Sequence, residues 1–195
     1  MLSINGADTS TTPQSVASTM AGGAGPRATD RRETKQAQFA QAFSGIVAVL
    51  MRDANYRDLK ISALEHLVVP AVLSGQWRLA HAPAPSAAAR SNVETDKIPM
   101  VPVATALWAS VSDEVDRKLT ESLDKRLVLS AGEWCSGSNL WLIAMAGSED
   151  ALPKLIRQLR EEYFKDKRVK LCARDGEGKP FTTTLDKIVP SGRSL

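Results

Sequence analysis

The sequence predicts an α/β fold, a sheet with helices on its faces, and three observations predict it. Segments of helical and strand period alternate in the order helix, helix, strand, strand, helix, strand, helix, strand, strand. The run NLWLIAMAG, Asn139 to Gly147, is apolar without alternation and reads as a central strand covered on both faces. The composition is globular: of 195 residues, 43% are hydrophobic and 24% charged, enough for one core without covalent staples.

Residues 1–33 are rich in Ser, Thr, Gly and Ala and almost free of large apolar side chains. Such a stretch buries too little surface to order itself and is expected to be a disordered tail, leaving 34–190 as the folded domain. Next, Phe39, Phe43, Ile46, Val47 and Leu50 recur at helical spacing and predict an amphipathic helix ending near Asp53. Ser62 and Glu65 fit a capping box opening a short helix with Leu64, Leu67 and Val68, which Pro70 bends or ends. Gln76 to His81 alternate as a strand, and APAPSAAARSNVETDKIP is a loop.

MVPVATALWASV, from Met100, is the second strand. SDEVDRKLTESL is a helix with Ser112 as N-cap and Val115, Leu119 and Leu123 on one face. LDKRLVLS is a short strand or an extended loop, and SGSN is the turn that launches the central strand. SEDALPKLIRQLREEYFKDK is a helix with Ser148 as N-cap and a stripe of Leu152, Leu155, Ile156, Leu159 and Phe164. RVKLCARD and KPFTTTLD form a hairpin around Gly176 and Gly178, and VPSGRSL frays. There is no internal repeat.

With 25 basic and 22 acidic residues the net charge is +3, too weak a footprint for a nucleic-acid binder. Cys135 and Cys172 lack metal-binding spacing, and His66 and His81 are the only histidines, so no metal site is expected. The cysteines read as buried thiols of a reducing compartment. No apolar run approaches the ~20 residues of a membrane span, and the N-terminus lacks a secretory pattern, so a cytoplasmic protein is expected. The P-loop, the GxSxG elbow and HExxH are absent. The basic run Lys165 to Lys170 is a solvated helix end or a docking surface for an acidic carrier. His66 reads as a surface histidine, His81 ends a strand, and Cys135 has no evident neighbouring base.

In order and spacing, YRDLKISALEHLVVPAVLSGQWRLA, VATALWASVSDEVDRKL and EWCSGSNLWLIAMAG resemble the toxin-activating lysine-acyltransferases, the hemolysin-activating proteins of RTX protoxins. The resemblance covers residues 50–187. Its most specific pieces are VVPAVLSGQ, LWASVS, and W-x-S-G followed four residues later by Trp141.

The resemblance implies a GNAT-like mixed twisted sheet flanked by helices and an acyl-acyl carrier protein as donor, with no bound cofactor. The acceptors it implies are internal lysines of an RTX-type protoxin, acylated in the cytosol by a homodimer. Arg57, Trp108, Ser136, Gly137 and Trp141 match family positions and are the expected substrate-binding set, with Ser138 beside them. Backbone N–H groups of Ser136 to Ser138 are expected polar donors. The family's histidine is Tyr56 here, its strand aspartate is Ala144, its acid after Ser-Gly is Ser138, and its helix tyrosine is Lys118. Tyr56 is therefore the expected catalytic group, nearest the reacting amine. The alternative these replacements raise is a catalytically impaired member that binds a carrier or a partner protein.

Overall fold

The computed structural model describes residues 28–84, 99–123 and 128–188. The expected order is present with two differences: the second helix is divided in two, and Leu185 and Asp186, expected in the last strand, open a further short helix. Helix α1 spans Ala28–Leu50, so it starts within the stretch expected as tail and ends three residues before Asp53. A 3-10 turn, Ile61–Ala63, leads into α2, Leu64–Leu67, and α3, Val69–Ser74. Strand β1 is Trp77–Pro83, β2 is Met100–Val111, helix α4 is Asp113–Glu121, and β3 is Asn139–Gly147. Helix α5, Leu152–Gln158, continues as a π-helical turn, Leu159–Tyr163. Strands β4, Val169–Arg174, and β5, Pro180–Thr184, precede α6, Leu185–Ile188.

Local signals match the structure where a side chain caps a real turn. Ser112 accepts from Val115 N at 3.3 Å and opens α4 as expected. Ser62 forms no capping box: neither turn at this point has a side-chain cap, because a 3-10 turn from Lys60 precedes the helix. Pro70 is the second residue of α3 and does not end α2, which stops at Leu67, since a missing N–H costs nothing in a first turn. Ser148 is not the N-cap of α5 either. Its carbonyl closes a turn with Ala151 and Leu152, and Pro153 sits in the first turn of the later helix. The segment 128–130 is not a strand; 124–127, the tip of the loop after β1 (85–98) and the last seven residues lie outside the described residues.

The sheet runs in sequence order, β1 to β5, antiparallel except for the β3–β4 pair. β3 is thus central, as its unbroken apolar run required. Both sheet faces are covered. One core holds Trp134, Trp141, Leu107, Val111 and Ile46 under α1, α2, α3 and α4. The other holds Trp108, Leu142, Leu155, Leu159 and Phe164 under α5 and its π turn.

A bulge and a split shape β3. Leu107 pairs with Ala144 but Trp108 pairs with Leu142, so Ile143 has no partner in β2. Such an extra residue bends a strand and increases its twist. Pairing of β3 with β4 is confined to Leu140–Leu142 against Val169–Leu171, and it stops where the bulge begins. Past that point the β4-facing edge of β3 has no ladder partner among the described strands. Gly147 ends the strand at φ +150, where a Cβ would lie 2.5 Å from the Ala104 Cβ; only glycine fits this close approach.

Candidate functional site

The turn that opens β3 is riveted to α4. Ser136 Oγ accepts from Ser112 N at 2.9 Å and donates to the Glu133 carbonyl at 2.9 Å. Gly137 N donates to the Ser110 carbonyl at 3.1 Å, so this N–H is already engaged. A Cβ on Gly137 would come within 2.6 Å of Ser112 Cα. Trp134 is buried and its indole N–H reaches the His66 carbonyl at 3.2 Å. Ser138 is exposed.

Trp141, fully buried, donates to Asp116 Oδ1 at 2.6 Å. Lys170, opposite Trp141 in the ladder, donates to both oxygens of the same carboxylate at 2.7 and 2.8 Å. One carboxylate therefore ties α4 to β3 and β4, and Asp116 was missed because no motif flags a helix-face acid. Lys118 donates to Glu133 Oε1 at 2.8 Å. That ammonium first, and then the Ser130 backbone N–H, hold the Glu133 carboxyl down at about 2.

Tyr56 is half-buried and packs against the core that contains Ala144. It lies in a turn anchored by Asp53, whose carbonyl accepts from Tyr56 N and Arg57 N and whose side chain accepts from Asn55 N at 2.9 Å. Asp53 also approaches Gly147 N at 3.4 Å, which sets this turn over the end of β3. Arg57 is exposed, 3.9 Å from Asp58. Ala144 is 2% exposed in an apolar cluster, so nothing ionic occupies the centre of β3. His66 and His81 are exposed. Neither cysteine is buried as expected: Cys135 is exposed because it sits in the turn before β3, and Cys172 is half-buried in β4, beside the end of its pairing with β3.

Trp108 points to the other face, apart from the rest of the expected set. It meets Phe164 edge-on at 5.3 Å and Tyr163 at 6.0 Å. Arg78 of β1 lies 3.7 Å over the Tyr163 ring and 5.8 Å from Trp108. The π turn carries Tyr163, and such turns recur at functional sites. Beside it lies an open groove of about 1480 Å³. Met145, Leu152, Ile156, Phe164 and Val169 line it, and charged side chains from α5 and the loop after the π turn rim it. Met145 belongs to the part of β3 beyond the split, so groove and split adjoin. The described residues contain no group of three or more His, Cys, Asp or Glu that could hold a metal, and no helix long and apolar enough to cross a membrane.

A five-stranded mixed sheet, bulged and split at its central strand and flanked by helices on both faces, is a GNAT-like α/β architecture. The family model of HlyC, the RTX toxin acyltransferase family, matches residues 97–183 and supports the resemblance seen in the sequence, to acyltransferases that activate toxins. The match spans somewhat under half of the chain, from just before β2 into β5. It contains the bulge, the split and the helix over the groove, and it leaves out Tyr56 and Arg57. No curated protein matches the chain.

Proposed function

We propose that the chain transfers a fatty acyl group from the thioester of acyl-acyl carrier protein to internal lysines of an RTX-type protoxin. The family match over 97–183 carries this reading, because it covers the elements that make the split and the groove. The geometry is compatible with it. A carrier's arm is an extended chain with amides, and an unpaired strand edge is a ready partner for such a chain. The edge of β3 beyond Leu142 offers that, and the apolar lining beside Met145 suits the acyl chain.

In the transfer, a neutral lysine Nζ attacks the thioester carbonyl carbon. The C–N bond forms, the carbonyl oxygen carries the developing charge, and then the C–S bond breaks. The proton lost by the amine goes to the departing sulfur, leaving an amide and a thiol. Tyr56 is our assignment for that relay, assisted by a water. A phenol near pKa 10 is a weak base at neutral pH, but its O–H donates to the sulfur as its oxygen accepts from the ammonium. Arg57 beside it, with Trp108, Ser136 to Ser138 and Trp141, makes up the proposed substrate-binding set; the contacts of Ser136, Gly137 and Trp141 give these three a role in holding its shape.

Mass spectrometry tests this. Purified protein, palmitoyl-loaded carrier and protoxin are mixed, and a palmitoyl group on protoxin lysines is expected. A carrier that stays loaded with the acceptor present would defeat the reading. A second reading would then stand, a binding module that retains the fold. It is favoured by one observation, that Ala144 leaves the middle of β3 without any ionisable group.

A further inference from the structure

The net charge of the chain is only +3, but it is not spread evenly. The groove is lined by six cationic side chains against four anionic ones, Glu149, Glu161, Asp166 and Asp186, a surplus of two in one place. Asp186 is taken up by Arg160 at 3.5 Å. That leaves five cations, Lys154, Arg157, Lys165, Lys167 and Arg168, all exposed and none in an ion pair among the described residues, against three carboxylates, Glu149, Glu161 and Asp166, so the surplus of two remains. Lys154 and Arg157 stand three residues apart on α5, and so on one face of it. The other three follow the π turn, where Asp166 takes a left-handed backbone (φ 59) between Lys165 and Lys167. Two elements thus present cations around an apolar floor. Such a rim repels a basic partner and attracts an acidic one, and it steers encounter more than it tightens the final complex.

We infer that the rim of Lys154, Arg157, Lys165, Lys167 and Arg168 is the surface on which an acidic carrier protein docks by a negatively charged helix. The inference rests on the function proposed above for the identity of the partner. Its geometry is independent of Tyr56, which lies over the opposite core. A carrier seated on this rim has its arm beside Met145, at the unpaired edge of β3, without crossing the folded domain.

The test is a binding titration of the full chain with palmitoyl-loaded acyl carrier protein at low and high salt. Wild type is expected to bind and to weaken as salt rises. The triple variant Lys165→Glu, Lys167→Glu, Arg168→Glu is expected to raise Kd at least about ten-fold, as reversal of steering charges does. A charge-matched control, Arg32→Glu, Lys35→Glu, Lys179→Glu, changes exposed cations outside the groove and is expected to keep wild-type affinity. Circular dichroism confirms that both variants fold; if the groove triple does not, Lys154→Ala, Arg157→Ala replaces it. Equal weakening by both triples would overturn the inference, as would no binding by wild type. Binding that follows the pattern without any acyl transfer would keep the docking surface and remove the proposed activity.

Discussion

The two faces of the sheet are built differently. One is closed: Trp134 and Trp141 fill it, small residues let α1 to α4 settle on it, and its polar atoms are bonded across the chain. The other is open: among the described residues α5 with its π turn and the short α6 cover it, and a large groove lies beside them. Of the most recognisable motif residues, Trp134 and Trp141 fill the closed face, while Ser136 and Gly137 pin the exposed turn beside it to Ser112 and Ser110. The groove lies on the other face, which Trp108 of LWASVS shares. A motif here records what must be held fixed, on both faces of the sheet.

This contrast can be broken in several ways. The largest effect is expected from Trp141→Ala, which opens a cavity in the closed face and takes one donor from Asp116 while its pair with Lys170 stays. It should cost about 4 kcal/mol in urea denaturation, the usual cost of deleting a buried aromatic. An equal loss from Trp108→Ala would say that the open face is just as structural. Next, Tyr56→Phe should lower acyl transfer about a hundred-fold in a single-turnover assay while the protein still folds, the usual contribution of a proton-transfer group. Full activity in that variant would take Tyr56 out of the chemistry.

Gly137→Ala drives a methyl into Ser112 and should cost about 2 kcal/mol, as overpacking does. Gly176→Ala, where an added methyl meets nothing within 4 Å, should change stability by less than about 0.5 kcal/mol in the same denaturation assay. The smallest effect belongs to the Lys118–Glu133 pair. The folded pKa of Glu133 is depressed, so the pair stabilises above the ordinary 4.5 and that stability is lost as pH falls toward about 2. Lys118 is half-exposed, which keeps the effect small. Glu133→Gln should cost about 1 kcal/mol at neutral pH and nothing near the bottom of that window. A difference independent of pH would assign Glu133's role to packing.

Much of the fold was legible because burial imposes a period. The central strand followed from NLWLIAMAG, the hairpin from the glycines between two short strands, and α4 from Ser112 and its apolar face. Capping signals failed at Ser62 and Ser148 because the local turn took another form, a 3-10 turn in one case and a later, proline-led helix in the other. At the candidate site, Ser136, Gly137 and Trp141 could be singled out from the sequence, but Asp116, Arg78 and Tyr163 could not. Their partners lie 25 to 85 residues away along the chain, and single-sequence patterns do not register such pairs.

By itself, the sequence determined the order of helices and strands, the centrality of β3 and the family resemblance, because periodicity and local spacing are properties of neighbouring residues. The tertiary structure alone decided the bulge at Ile143, the split from β4 and the charged groove beside it. Each of these depends on how distant strands pair and twist, and the same apolar run would read identically with or without the extra residue.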